Sequence, residues 1–356
     1  IETYLLLTVN HQSLIATKAN RIVRAAKGHA VMEFGSRRAQ GSAAAIDGAR
    51  AAYIAGCCGT ACTISDQLYG VPAGGTMAHS WVQMFDSELD AFRAYAKCYP
   101  DACLLLVDTY NVLKSGIPNA IKVFNELRAE GHEPAGIRID SGDITYLSRK
   151  ARKMLDDAGF PNAKICISNS LDEYIIEDIL RQGACIDSFG VGERLITSRS
   201  EPVFGGVYKL TAVEKDGQII PKIKLSENVT KITTPDFKEL WRFYDKTTGK
   251  AIADLITCYG EEVDDTKPYT IFDPEHPYKK KTVTDFTAKK LLVQIFDKGE
   301  CVYESPSATE IRDFCREQIG TLWSEVTRFE NPHEYYVDLS KKLWDKKNDL
   351  LNEMSV

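Results

Sequence analysis

The stretch Gly136-Ile137-Arg138-Ile139-Asp140-Ser141-Gly142-Asp143 decides the fold, because an apolar strand ends there in one guanidinium and two carboxylates. An ion buried without partners is costly. These groups must therefore be paired, hydrated at a strand mouth, or reserved for a charged ligand, and repetition of the pattern decides among those choices. Outward from this stretch, short apolar runs alternate with amphipathic ones between Ala30 and Phe189, as βαβ units and a parallel sheet require. Strands are expected at 30–34, 57–63, 75–79, 103–108, 136–140, 164–168 and 186–190. Helices are expected at 14–26, 37–55, 87–99, 117–130, 145–158 and 171–182, and Gly131, Gly159 and Gly183 stand where helix C-caps belong.

The C-terminal ends of these strands carry the polar residues: Arg37 and Arg38; Thr60 and Thr63; Thr76 and His79; Asp108, Tyr110 and Asn111; Arg138, Asp140 and Asp143; Ser168 and Asn169; Gly190 and Gly192. A (β/α) barrel builds its active site this way, since parallel strands aim their C-terminal ends at one face. An open doubly wound sheet is the alternative. After Gly192 the texture turns β-rich, with strands expected at 207–214, 219–225 and 241–245 and closing helices at 307–314 and 335–353. The organisation expected is a helical lead-in over 1–29, an α/β barrel over 30–206, and a β-rich region with terminal helices over 207–356.

The 356 residues, 44% hydrophobic and 26% charged, suffice for a large core plus a smaller second one. The net charge of -6 is intermixed, and Lys279-Lys280-Lys281 is too short and isolated to be a nucleic-acid footprint. Ten cysteines show neither a CxxC pair nor zinc spacing, so they read as small apolar residues in a reducing cytoplasm. No apolar run approaches the roughly 18 residues a membrane helix needs. The chain starts at Ile1 without a methionine, so an upstream part is expected.

Each candidate site residue has a bland reading beside its functional one. Two glycines in Phe189-Gly190-Val191-Gly192 let backbone N–H groups approach a phosphate, with Ser168 and Asn169 as neutral donors; the alternative is a tight turn. Arg37 and Arg38 offer paired cations at a helix start, Arg37 toward an anion and Arg38 at its solvated edge, unless one of them pairs with Glu33. His79 is a candidate catalyst or a core histidine. Arg138 can clamp an anionic group, while Asp140 and Asp143 hold Mg²⁺ through water or bind sugar hydroxyls; Asp143 alternatively caps the next helix.

The ordered set EFGSRRAQG, GTMAHSW, LVDTYNVLKSG, GIRIDSGD, ICISNSLDE, FGVGERL and GGVYKL, with TLWSEVTRFENPHEYYVDLS near the end, closely resembles the nicotinate phosphoribosyltransferase family. The resemblance covers nearly the whole chain. It implies an irregular type II phosphoribosyltransferase barrel, a second domain built from both chain ends, a homodimer, and ATP-assisted coupling of nicotinate to phosphoribosyl diphosphate with Mg²⁺. It further implies that His79 is phosphorylated, that Thr76 and Arg138 bind nicotinate, and that Phe34 stacks on the pyridine ring. Arg37 falls on the phosphoribosyl site, Asp140 on the ribose site, and Gly190 and Gly192 on the phosphate loop. Glu193 stands where some relatives have a threonine. Nicotinamide or quinolinate specificity on the same barrel, a sugar-phosphate aldolase or lyase, and a non-catalytic binding module are the alternatives; the aldolase would need a lysine at a strand end.

Overall fold

In the computed structural model, residues 1–228 and 231–354 are described. They divide into two compact units, Ile1–Gly206 with Pro306–Arg316, and Val207–Ser305 with Glu317–Val356. The chain's start belongs to the first unit, and so does part of the expected C-terminal region, since Arg312 donates to the Gly56 carbonyl at 3.1 Å and lies over the Tyr53 ring.

The first unit opens with α1 (Glu2–Ala25), longer than the 14–26 helix expected. Six parallel strands follow: β1 (Ala30–Glu33), β2 (Gly59–Thr60), β3 (Leu104–Leu106), β4 (Gly136–Ile139), β5 (Lys164–Ile167) and β6 (Ser188–Val191). Between them run α2 (Ser42–Ile54), α3 (Thr63–Tyr69), α4 (His79–Gln83), α5 (Glu88–Cys98), α6 (Ile117–Ala129), α7 (Ile144–Asp157), α8 (Glu173–Arg181) and, after β6, α9 (Glu193–Ile196). Gly131, Gly159 and Gly183 do take positive φ just past α6, α7 and α8. The strand order β2-β1-β6-β5-β4-β3 is the chain order read around a ring, so the sheet is a barrel unlaced between β2 and β3. Ile137, Ile139, Ile165, Ile167 and Phe189 are fully buried in its wall, and Phe92 and Phe124 under the helices. Each such side chain contributes about 2–3 kcal/mol through lost apolar surface.

The opening is where the strand expected at 75–79 fails to form. Pro72 and the pair Gly74-Gly75 interrupt it; a single parallel bridge joins Thr60 to Ala73, and His79 already begins α4. The amides of Gly75, Thr76, Met77 and Ala78 donate to no backbone carbonyl among the described residues. A second correction concerns 37–55, where no single helix forms: Ser36–Arg38 is a separate 3₁₀ turn, and Gly41, at φ 108°, precedes α2. Arg37 and Arg38 thus sit in their own turn, off the start of the long helix.

The second unit contains β7 (Ala212–Lys215), β8 (Gln218–Pro221), β9 (Lys238–Asp245), β10 (Ala251–Cys258), β11 (Tyr269–Phe272), β12 (Lys280–Val283), β13 (Phe286–Lys290), β14 (Phe296–Asp297), β15 (Glu300–Cys301) and β16 (Val337–Leu339). Of the helices α10 (Ala308–Gly320) and α11 (Lys341–Met354), the second lies wholly within it. Its main sheet runs β13-β9-β10-β16 over a core of Trp241, Phe243, Leu255, Ile271, Val283 and Phe286. The helix expected at 335–353 is instead a strand and a helix, because residues 337–339 pair in parallel with β10 and the Ser340 hydroxyl then accepts the Leu343 amide at 3.2 Å.

Candidate active site

The C-terminal ends of β1, β2, β4, β5 and β6 close around a cavity of about 570 Å³, with Asp108 after β3 reaching it through its bond to His79. It is lined by Phe34, Arg37, Arg38, Thr76, His79, Arg138, Asp140, Ser168, Asn169, Gly190 and Gly192, so eleven of the twelve site residues expected from sequence meet there. The twelfth, Asp143, lies outside the lining. Its carboxylate accepts the Tyr146 amide at 2.9 Å, which makes it the N-cap of α7. Glu193 joins the lining, carrying an ion pair to Arg199 at 3.4 Å. Three arginines against Asp140 and Glu193 leave the mouth net positive, as an anionic ligand favours.

Arg138 answers the question its position poses. Projecting from β4, it is largely buried and paired on every side: Nε donates to Ser168 Oγ and Nη1 to Thr76 Oγ1, each at 2.6 Å, while Nη1 to the Met77 carbonyl and Nη2 to Asp140 Oδ1 are 3.3 Å. Ser168 Oγ passes its own hydrogen to Asp140 Oδ1 at 2.7 Å. A guanidinium has five N–H groups, so these bonds leave one hydrogen, on Nη2, for a ligand. The same bonds fasten the irregular 75–79 segment to the barrel wall.

His79 Nε2 lies 3.1 Å from Asp108 Oδ1, and the Asp108 carboxylate is buried. The other oxygen, Oδ2, accepts the Asp140 amide at 3.0 Å and the Ser141 hydroxyl at 2.6 Å. One carboxylate therefore orients the histidine and the loop that bears Asp140. In the sequence Asp108 stands only among the polar strand ends; the signal for its role was a carboxylate following the strand next to β4. The His79 ring keeps Nδ1 free of that bond, with the side chain 39% exposed to the cavity.

Glu33 pairs with neither arginine. It is fully buried, accepting the Gly35 amide on Oε1 and the Thr60 hydroxyl on Oε2 at 2.6 Å, and burial pushes its carboxyl up. Arg37 and Arg38 form no salt bridge among the described residues and are exposed at the mouth. Among the described residues no group of three or more His, Cys, Asp or Glu side chains is placed to hold a metal ion, and no lysine lines the cavity, as a Schiff-base aldolase would need.

Residues 29–254 match the model of the nicotinate phosphoribosyltransferase (NAPRTase) family, and residues 237–347 match its C-terminal domain. The chain belongs to the nicotinate phosphoribosyltransferase family. It is 44% identical to the nicotinate phosphoribosyltransferase of Bacillus subtilis, over 99% of this chain and 72% of that one. The nicotinate phosphoribosyltransferase of Dictyostelium discoideum is 34% identical, over 98% of this chain and 68% of that one. Among solved structures, human nicotinic acid phosphoribosyltransferase superposes with a TM-score of 0.85 at 27% identity, covering 98% of this chain and 76% of the human one. The nicotinate-nucleotide pyrophosphorylase of Pyrococcus furiosus gives a TM-score of 0.64 at 26% identity, covering 90% and 73%. The chain's α/β barrel was thus expected from the strand ends, and its sheet-rich second unit from the β-rich texture after Gly192. No described helix is long and apolar enough to cross a membrane.

Proposed function

We propose that the chain joins nicotinate to the ribosyl carbon of phosphoribosyl diphosphate, releasing diphosphate, with ATP hydrolysis coupled through a phosphorylated His79. The observation that carries this reading is the convergence of Arg138, the Phe34 ring, Arg37, Arg38 and the Asp108-held His79 in one cavity. As the pyridine nitrogen enters and diphosphate leaves, positive charge develops on the sugar, and a transition state of that kind is favoured by cations at the leaving group and a carboxylate at the ring. Arg37 and Arg38 would take the diphosphate and Asp140 the ribose. Ser168, Asn169 and the backbone at Gly192 would donate to the 5′-phosphate.

The ring of His79 has its tautomer set by Asp108: with the proton on Nε2, Nδ1 is the nucleophile. Its lone pair forms the bond to the γ-phosphorus of ATP as the bond to the β–γ bridging oxygen breaks and ADP departs. Asp108 balances the charge on the phosphorylated ring, and water later cleaves the Nδ1–P bond. Mg²⁺ commonly keeps its waters and uses one or two carboxylates plus substrate phosphates, which suits a mouth offering Asp140 and Glu193; when bound it would offset phosphate charge. A homodimer, which rests on the family resemblance, and a cytoplasmic location, which rests on ten cysteines without a CxxC pair or zinc spacing, complete the proposal.

A second reading, nicotinamide as the base, is favoured by one observation: Arg138 keeps a single N–H for a ligand, enough for an amide carbonyl but not for a two-bond grip on a carboxylate. Mass analysis of the product from nicotinate and nicotinamide in competition, with phosphoribosyl diphosphate and with or without ATP, decides both points. Nicotinate mononucleotide formed in excess and increased by ATP supports the proposal; the amide product in excess supports the second reading.

A further inference from the structure

The two glycines of Phe189-Gly190-Val191-Gly192 do different things. A Cβ built on Gly190 would overlap two atoms of the Phe34 ring, and would also come within 3.2 Å of the Ser168 Cβ. The Phe34 ring therefore rests where a side chain at 190 would be. A Cβ on Gly192 would instead come to 3.1 Å from the Phe34 carbonyl oxygen, so it crowds backbone and leaves the ring alone. The other side of the mount is Glu33. Its carboxylate accepts the Gly35 amide and the Thr60 hydroxyl, closing the chain tightly around residue 34, whose own amide donates to the Val191 carbonyl at 2.8 Å. A Cβ on Gly35 would overlap Ile196. The backbone of residue 34 is fixed by β6 on one side and by Glu33 on the other, and its ring has Gly190 as a floor with the Arg138 guanidinium 5.6 Å from its centroid.

We infer that Gly190 and Glu33 are positioning residues for the base: Gly190 leaves the space in which the Phe34 ring lies, and Glu33 locks the turn that presents it. Gly190 thereby belongs to the base site and Gly192 to the phosphate loop. A glycine kept for close approach of a phosphate would matter whatever stands at 34; a glycine kept for the ring matters only while the ring is there. This inference rests on the proposed function for the identity of the base.

A double-mutant cycle separates the two roles. Gly190→Ala should raise the KM for nicotinate at least tenfold while the KM for phosphoribosyl diphosphate changes less than threefold. In a Phe34→Ala background the same change at 190 should alter neither KM by more than twofold. Glu33→Gln should likewise raise the nicotinate KM with little change for the donor, and Glu33→Asp, which keeps the charge but shortens the reach, should restore it only in part. Calorimetric titration of each variant with nicotinate alone gives a readout that does not depend on turnover, and the thermal midpoint reports folding. If Gly190→Ala weakens donor binding equally in both backgrounds, the glycine serves the phosphate and the inference is overturned. If the unaltered chain binds no nicotinate, the functional proposal fails, while a displaced Phe34 ring in the structure of the Gly190→Ala variant would still establish the mount.

Discussion

At the scale of single residues, the site is a set of bonds already made, and the chemistry depends on which groups are left over. His79 has one nitrogen committed to Asp108 and its side chain lines the cavity, so under the proposed function its removal would take away the nucleophile while the groups proposed to hold base and sugar stay in place. In His79→Ala, nicotinate-dependent ATP hydrolysis and acid-labile phosphate on the protein should vanish, while a slow ATP-independent transfer persists and the thermal midpoint stays within a few degrees. A core histidine would behave otherwise, both activities falling with the folded fraction. Arg138 is the opposite case, with most of its donors spent inside the protein. Arg138→Gln should narrow the preference for nicotinate over nicotinamide about tenfold, since a charge-assisted bond is worth roughly twice a neutral one; an unchanged ratio of kcat/KM values would place carboxylate recognition elsewhere. The residue types at both positions were legible in the sequence. Their partners were not, because Asp108 and Ser168 follow other strands, Thr76 lies in the irregular 75–79 segment, and only the fold brings them together.

Single elements show where local chemistry overrides pattern. Asp143 was compatible with a water-bound metal or a helix cap, and α7 takes it as a cap. Asp143→Ala should cost about 1 kcal/mol of stability, with Asp143→Asn costing little. The Mg²⁺ concentration for half-maximal turnover should not move in either; a severalfold rise would restore the metal role. The strand 337–339 was hidden inside an amphipathic run, since three residues on a sheet edge leave too short an alternation to outweigh the helix that follows. On that strand Asp338 is 4% exposed, and burial, with the Asp273 carboxylate beside it, pushes its carboxyl up to about 6. His276 and Lys279 face the Asp273 end of that pair. A folded-state value above the ordinary 3.9 or so means that the protonated form is the one the fold prefers, so this contribution is complete below about pH 4 and lost as pH rises through 6. The full displacement corresponds to about 3 kcal/mol. Asp338→Asn should therefore raise the unfolding midpoint of the second unit at pH 8 and leave it nearly unchanged at pH 4, as followed by thermal melts across that range.

For the molecule as a whole, the barrel was legible from where polar residues stood relative to apolar runs. One accident of composition can end a strand in an arginine, but charge and hydroxyl groups at successive strand ends require that the ends share a face. What the pattern could not reveal was that one expected stave is absent. Gly75 to His79 has the apolar content of a strand yet no ladder, and it is held across the opening between β2 and β3 by the Ala73 bridge on one side and by Arg138 and Asp108 on the other. The second unit was less legible because several of its strands pair only locally, as β7 with β8 and β14 with β15. The unlaced opening has a consequence in time. Backbone opening there breaks no rungs, only the side-chain bonds to Arg138 and the His79–Asp108 contact, so its free-energy cost lies far below that of the laced wall. In deuterated water the amides of Thr76, Met77 and Ala78 should take up label orders of magnitude sooner than those of Ile137, Ile139 or Ile167. Arg138→Gln should quicken uptake in that seam alone, and a seam that exchanged as slowly as its neighbours would mean that the barrel is sealed by something other than Arg138.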